Sequence, residues 1–157
     1  MVDEKMNRSL QAVLSRAIDE ASARRSTTVE AEHLLLALAT DEGLIAAKVL
    51  ADAGLTHDAI EAALDQERAE SLAAAGIGPV DESRLAATPR QVRPGWGPSV
   101  KEAILRGKKP VISDGRHRPS ETELLIGILQ ANLGTVPRML AIAGIDRGDL
   151  IERARQA

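Results

Sequence analysis

The chain repeats itself at a fixed distance of 90 residues. Val29-Glu30-Ala31-Glu32-His33-Leu34-Leu35-Leu36-Ala37-Leu38 returns as Pro119-Ser120-Glu121-Thr122-Glu123-Leu124-Leu125-Ile126-Gly127-Ile128. The same shift carries Ala46-Ala47-Lys48-Val49-Leu50-Ala51-Asp52-Ala53-Gly54-Leu55 onto Val136-Pro137-Arg138-Met139-Leu140-Ala141-Ile142-Ala143-Gly144-Ile145, with no gap. Chance similarity would not hold one register through the intervening loops, so a duplicated unit is expected.

The unit reads as helical. Leu10, Val13, Leu14, Ala17, Ile18 and Ala21 follow the spacing of one helix face over residues 8–24. A second helix runs to about Thr40; Thr27 or Thr28 is placed to cap it, with Glu30 three residues after Thr27. A third spans Leu44 to Ala53 and stops at Gly54. Thr56 caps a fourth that reaches Ala75. The second copy is damaged: a short helix from Ser99 to Arg106 meets Gly107 and Pro110, which stand where the first copy has Ala17 and Glu20. Three further helices follow, capped by Ser120 with Glu123, by Thr135 and by Asp146. The expected fold is all-α: two tandem four-helix repeats related by a pseudo-twofold axis, in a single domain over 1–157. Repeat one covers about 6–75, a linker about 76–95 and a degenerate repeat two about 96–155. No sheet is expected near residue 33 or residue 123.

The chain of 157 residues has no Phe, no Tyr and one Trp, so its core must be Leu, Ile, Val and Ala. It has no Cys, which removes disulfides, thiolate metal sites and a Cys nucleophile. Its start lacks the apolar run of a signal peptide, and its longest apolar run is too short to span a bilayer, so a cytoplasmic location is expected. Charge is uneven: 7 basic against 14 acidic residues over 1–75, and 13 against 9 over 76–157.

Glu32-His33-Leu34-Leu35-Leu36-Ala37-Leu38, Gly43-Leu44-Ile45-Ala46-Ala47-Lys48-Val49-Leu50 and Gly54-Leu55 resemble the Clp repeat. This repeat forms the N-terminal domain of Clp/Hsp100 unfoldases of the ClpA and ClpC type. The resemblance implies the doubled four-helix fold and a role in binding. Partners would be Clp unfoldase, peptidase or adaptor subunits, substrates bearing phosphoarginine, or small-molecule ligands of such domains. In the ClpC type, a Thr following a Phe and the Glu of a Thr-Glu-His turn form an acidic pocket for a phosphorylated arginine in each repeat. Here Met6-Asn7 stands for the Phe-Thr pair and Ala31-Glu32-His33 for the turn. In the second repeat the pair is Trp96-Gly97, and Thr122 and Glu123 fall at the Glu and His positions. The candidate ligand residues are therefore Met6, Asn7, Glu32, Trp96, Thr122 and Glu123. A carboxylate facing a planar guanidinium is a good bidentate match. The phosphate-cradling loop of the family's ATPase modules is absent from this sequence, so the chain reads as a free-standing N-domain without a motor.

No catalytic residue and no cofactor are expected. His33, His57 and His117 share no metal-ligand spacing and no nucleophile context, so no metal site is expected either. An alternative function is nucleic-acid association through 84–118, which holds nine basic residues against Glu102 and Asp114. Aromatic interleaving is limited to Trp96, and a solvated face or a docking patch for an acidic protein weighs against it.

Overall fold

The computed structural model describes residues 2–77, 93–107 and 119–157, with side chains from Arg8 onward. Repeat one contributes α1 (Val2–Ala23), α2 (Ala31–Thr40), α3 (Ile45–Asp52) and α4 (His57–Ala74). Repeat two contributes α5 (Pro98–Gly107), α6 (Glu121–Leu129), α7 (Thr135–Ile142) and α8 (Arg147–Gln156). The 90-residue shift maps the first residues of α2, α3 and α4 onto the first residues of α6, α7 and α8. The fold is the expected all-α pair of repeats.

The contacts between repeats come in reciprocal sets. Helix α2 meets its own counterpart α6; α4 packs on α7 and α3 on α8; α3 meets α6 and α2 meets α7; α1 meets α6 and α2 meets α5. Such an exchange of partners is what a twofold relation produces. Within each repeat the second helix is the hub, since α2 touches α1, α3 and α4 while α6 touches α5, α7 and α8. The hub helices carry the core: Leu34, Leu35, Leu36 and Leu38 on α2, and Leu124, Leu125, Ile128 and Leu129 on α6, are all fully buried. Burying one such side chain stabilises the fold by about 1.5–3 kcal/mol.

Most helix ends obey local chemistry. Thr56 Oγ1 accepts from Ala59 N, Ser120 Oγ from Glu123 N and Asp146 Oδ1 from Asp149 N. Gly54 and Gly144 end α3 and α7 with φ of 84° and 72°, a conformation that other residues rarely adopt. Three details differ from expectation. The cap of α2 is Glu30, not Thr27 or Thr28, because His33 completes a reciprocal box with it. Helix α7 begins at Thr135 with Gly134 as its cap, so the hydroxyl is already inside the first turn. Helix α1 starts at Val2, so Met6 and Asn7 lie within it rather than ahead of it.

A fourth difference is a pair of two-residue parallel strands, β1 (Thr28–Val29) and β2 (Gly95–Trp96). Gly95 N donates to Thr27 O at 3.1 Å and Gly97 N to Val29 O at 2.9 Å. Two residues give no alternating pattern, so nothing in the local sequence announced them. They pin the entrance of α5 to the entrance of α2 and leave the helical architecture intact. Pro110 and residues 78–92 of the linker lie outside the described residues.

Helix α3 has no cap of its own, since Leu44 occupies that position. Its first two amides, Ile45 N and Ala46 N, donate instead to Glu121 Oε1 and Oε2, each at 2.9 Å. One carboxylate of repeat two thus satisfies two orphan donors of repeat one and complements the helix dipole. Glu121→Ala is expected to cost about 1–2 kcal/mol. Urea denaturation checks this, and a midpoint equal to wild type would contradict it.

Candidate ligand-binding surface

The N-terminus of α2 gathers several of the expected residues. Strand β1 leads through Glu30 into α2, whose first turn carries Glu32. Trp96 is the register partner of Val29, so its backbone runs beside this turn; it is 44% exposed. Ser99, in the first turn of α5, accepts from Ala31 N at 2.8 Å and donates to the Glu30 carboxylate. Gly97 is required by this closure, because a Cβ there would lie 2.0 Å from Glu30 Oε1.

Glu32 is half-buried. Its carboxyl is pushed above the usual carboxylate range, chiefly by burial and further by the nearby charges of Glu30 and Glu67. Its own backbone amide and the Arg24 guanidinium pull the other way. Arg24 is already engaged with Asp65 at 2.8 Å. Glu67, nearly fully buried on α4, accepts from Arg138 Nε at 2.8 Å and from Ser71 Oγ at 2.7 Å. The corner where α1, α2 and α4 meet is therefore crowded with carboxylates, and a further cation there would be stabilised.

Thr122 and Glu123 lie in the first turn of α6, the counterpart of this corner, and both are half-buried. Met6 and Asn7 have their backbone in α1, and their side chains lie outside the described residues. The structure thus brings Glu32 and Trp96 to one end of α2 and sets Thr122 and Glu123 on the other hub helix. Of the basic stretch 84–118, Arg93, Lys101 and Arg106 fall among the described residues. Arg106 donates to Gly127 O at 3.0 Å, a structural use.

Sequence reasoning passed over three features. Glu30 and Ser99 form a polar contact between repeats, although only the pairing of an acidic cap with a hydroxyl 69 residues away hints at it. Glu67 and Arg138 bridge α4 to α7, hidden because a lone Glu on a polar helix face looks solvated. A cavity of about 380 Å³ opens at the opposite end of α2, lined by Ala39, Lys48, Ala51, Leu55 and His57 among others.

The doubled all-helical repeat is the architecture of the Clp repeat class. The family model for the Clp repeat (R) N-terminal domain matches residues 5–93, more than half of the chain. The chain belongs to that family. The match covers repeat one and the linker; repeat two is tied to it by the 90-residue echo and the reciprocal contacts. Among the described residues, no helix is long and apolar enough to cross a membrane.

Proposed function

We propose that this chain is a non-catalytic binding module of the Clp proteolytic system, working in the cytoplasm on substrates, adaptors or subunits of the unfoldase and peptidase. Its principal contact is a guanidinium held at the α2 corner by Glu32, as the resemblance to ClpC-type pockets implies. The carrying observation is the half-buried Glu32 carboxylate, held among other carboxylates with its charge disfavoured. A bound guanidinium relieves that cost by donating a bidentate pair of hydrogen bonds to the carboxylate. By the same resemblance Asn7 of α1, whose side chain lies outside the described residues, belongs to the pocket, and Trp96 supplies an apolar platform for the rest of the ligand.

The second pocket of the family is the weaker of the two. Gly97 takes the place of its Thr, and the Glu30 carboxylate fills the space a side chain would need. Thr122 at the Glu position leaves Glu123 as the nearest carboxylate. Ligand capture is therefore expected with one strong site rather than two.

The test is calorimetry with a short peptide carrying phosphoarginine. Wild type is expected to bind saturably, and Glu32→Gln to weaken binding about 10–100-fold, the worth of one charge-assisted contact. Trp96→Ala is expected to weaken it less. No heat with wild type, or equal affinity in Glu32→Gln, would reject the assignment.

A further inference from the structure

The face where α1 packs near the start of α4 carries a second constellation, away from the α2 corner. His57 is the first residue of α4 and Glu61 lies one turn on, so the two share a helix face. Glu20 reaches them from α1. One ring nitrogen of His57, Nε2, lies 2.8 Å from Glu20 Oε1. The other, Nδ1, faces Asp58 Oδ1 at 3.8 Å and Glu61 Oε2 at 3.9 Å, too far for a hydrogen bond. Three carboxylates thus surround one imidazole. An ion bonded to Nε2 would lie on the Glu20 side of the ring, with the Nδ1 proton left facing Asp58.

We infer that Glu20, His57 and Glu61 form a binding site for a divalent transition-metal ion of the zinc type. One ligand atom from each residue lies within 4.8 Å of the others. Around a zinc ion such atoms sit about 3.4 Å apart, so the widest spacing must close by up to about 1.4 Å while the 2.8 Å Glu20–His57 spacing opens slightly. Glu61, whose side chain is 39% exposed, has the freedom to make that movement. Glu20 is more enclosed, at 12%, and fixes one side of the site. A neutral imidazole and two carboxylates sum to a charge of −2, which a divalent ion cancels. The nitrogen ligand favours zinc over magnesium or calcium, which take oxygen ligands. Three distant histidines offered no ligand set in the sequence; one histidine with two carboxylates from two helices does.

Coordination would cross-link α1 to α4, and His57 also borders the 380 Å³ cavity, so an ion there sits next to a space that a ligand could enter. The test is a Zn²⁺ titration by calorimetry on the full chain without a histidine tag, with Co²⁺ absorption as a spectroscopic probe. One equivalent is expected to bind saturably and to raise the melting temperature. His57→Ala and Glu61→Gln are each expected to weaken binding at least about tenfold and to remove most of that rise. Glu42→Gln, on the cavity wall but outside the triad, is expected to bind as wild type does. Absence of saturable binding to wild type would overturn the site. So would unchanged affinity in Glu61→Gln, a half-exposed position whose substitution leaves the core untouched.

Discussion

Gly127→Ala is expected to destabilise the protein by about 3 kcal/mol, a fall of roughly 10 °C in melting temperature. The sign is informative, because alanine in a free helix is better than glycine by about 1 kcal/mol. The reason is the crossing of α5 and α6. A Cβ on Gly127 would lie 2.1 Å from Ala103 O and 2.8 Å from Gly107 N, both backbone atoms that cannot swing aside. A Cβ on Gly107 would likewise lie 2.5 Å from Glu123 O. The equivalent positions in repeat one are Val13, Ala17 and Ala37, against Ala103, Gly107 and Gly127 here. The second repeat therefore brings its first two helices backbone to backbone, where the first repeat leaves room for side chains. Thermal denaturation followed by circular dichroism measures the effect. A variant as stable as wild type would mean that α5 can slide away from α6 at little cost.

The Gly127 contact illustrates what the sequence could and could not disclose. The doubled register, the four helices of repeat one and the stop at Gly54 were legible, since each follows from local pattern or backbone need. Gly107 was legible only as a helix-breaking defect beside Pro110. In the folded chain it is a point of close approach to α6, a tertiary fact invisible to periodicity. Glu121 looked like an acidic first-turn residue serving its own helix, and its carboxylate instead caps α3 of the other repeat. Of the candidate site, Glu32 and Trp96 were readable through the motif they stand in. Their crowding by Glu30 and Glu67 was not, because it depends on how α4 and β1 lie against α2.

Acid is expected to weaken the fold by about 3 kcal/mol as pH falls from 6.5 to 4, through His33. The ring is buried, and its Nδ1 accepts a hydrogen bond from Glu30 N at 2.9 Å, so it must be unprotonated to close the cap of α2. Burial, followed by the Arg24 charge, pushes its pKa down to about 4, with Glu30 opposing. The unfolded chain binds a proton at this residue near pH 6.5, while the folded one resists until about pH 4. More protons on the unfolded side means that stability is fully present above pH 6.5 and declines as pH drops through this window. Glu32 acts with the opposite sign, since its pKa, raised chiefly by burial, lets the folded state take up a proton first. Urea denaturation at a series of pH values measures the slope. His33→Gln, whose amide oxygen can still accept from Glu30 N, is expected to lose most of it. A slope that persists in that variant would assign the acid sensitivity to other groups.

The carboxylate that Glu121 lends to α3 also bears on ancestry. Two copies of the first half alone, assembled as a homodimer, would offer Ala31 where Glu121 now stands. Each copy would then keep two amides without an acceptor at the start of its third helix. The duplicated halves have become complementary rather than interchangeable at this contact.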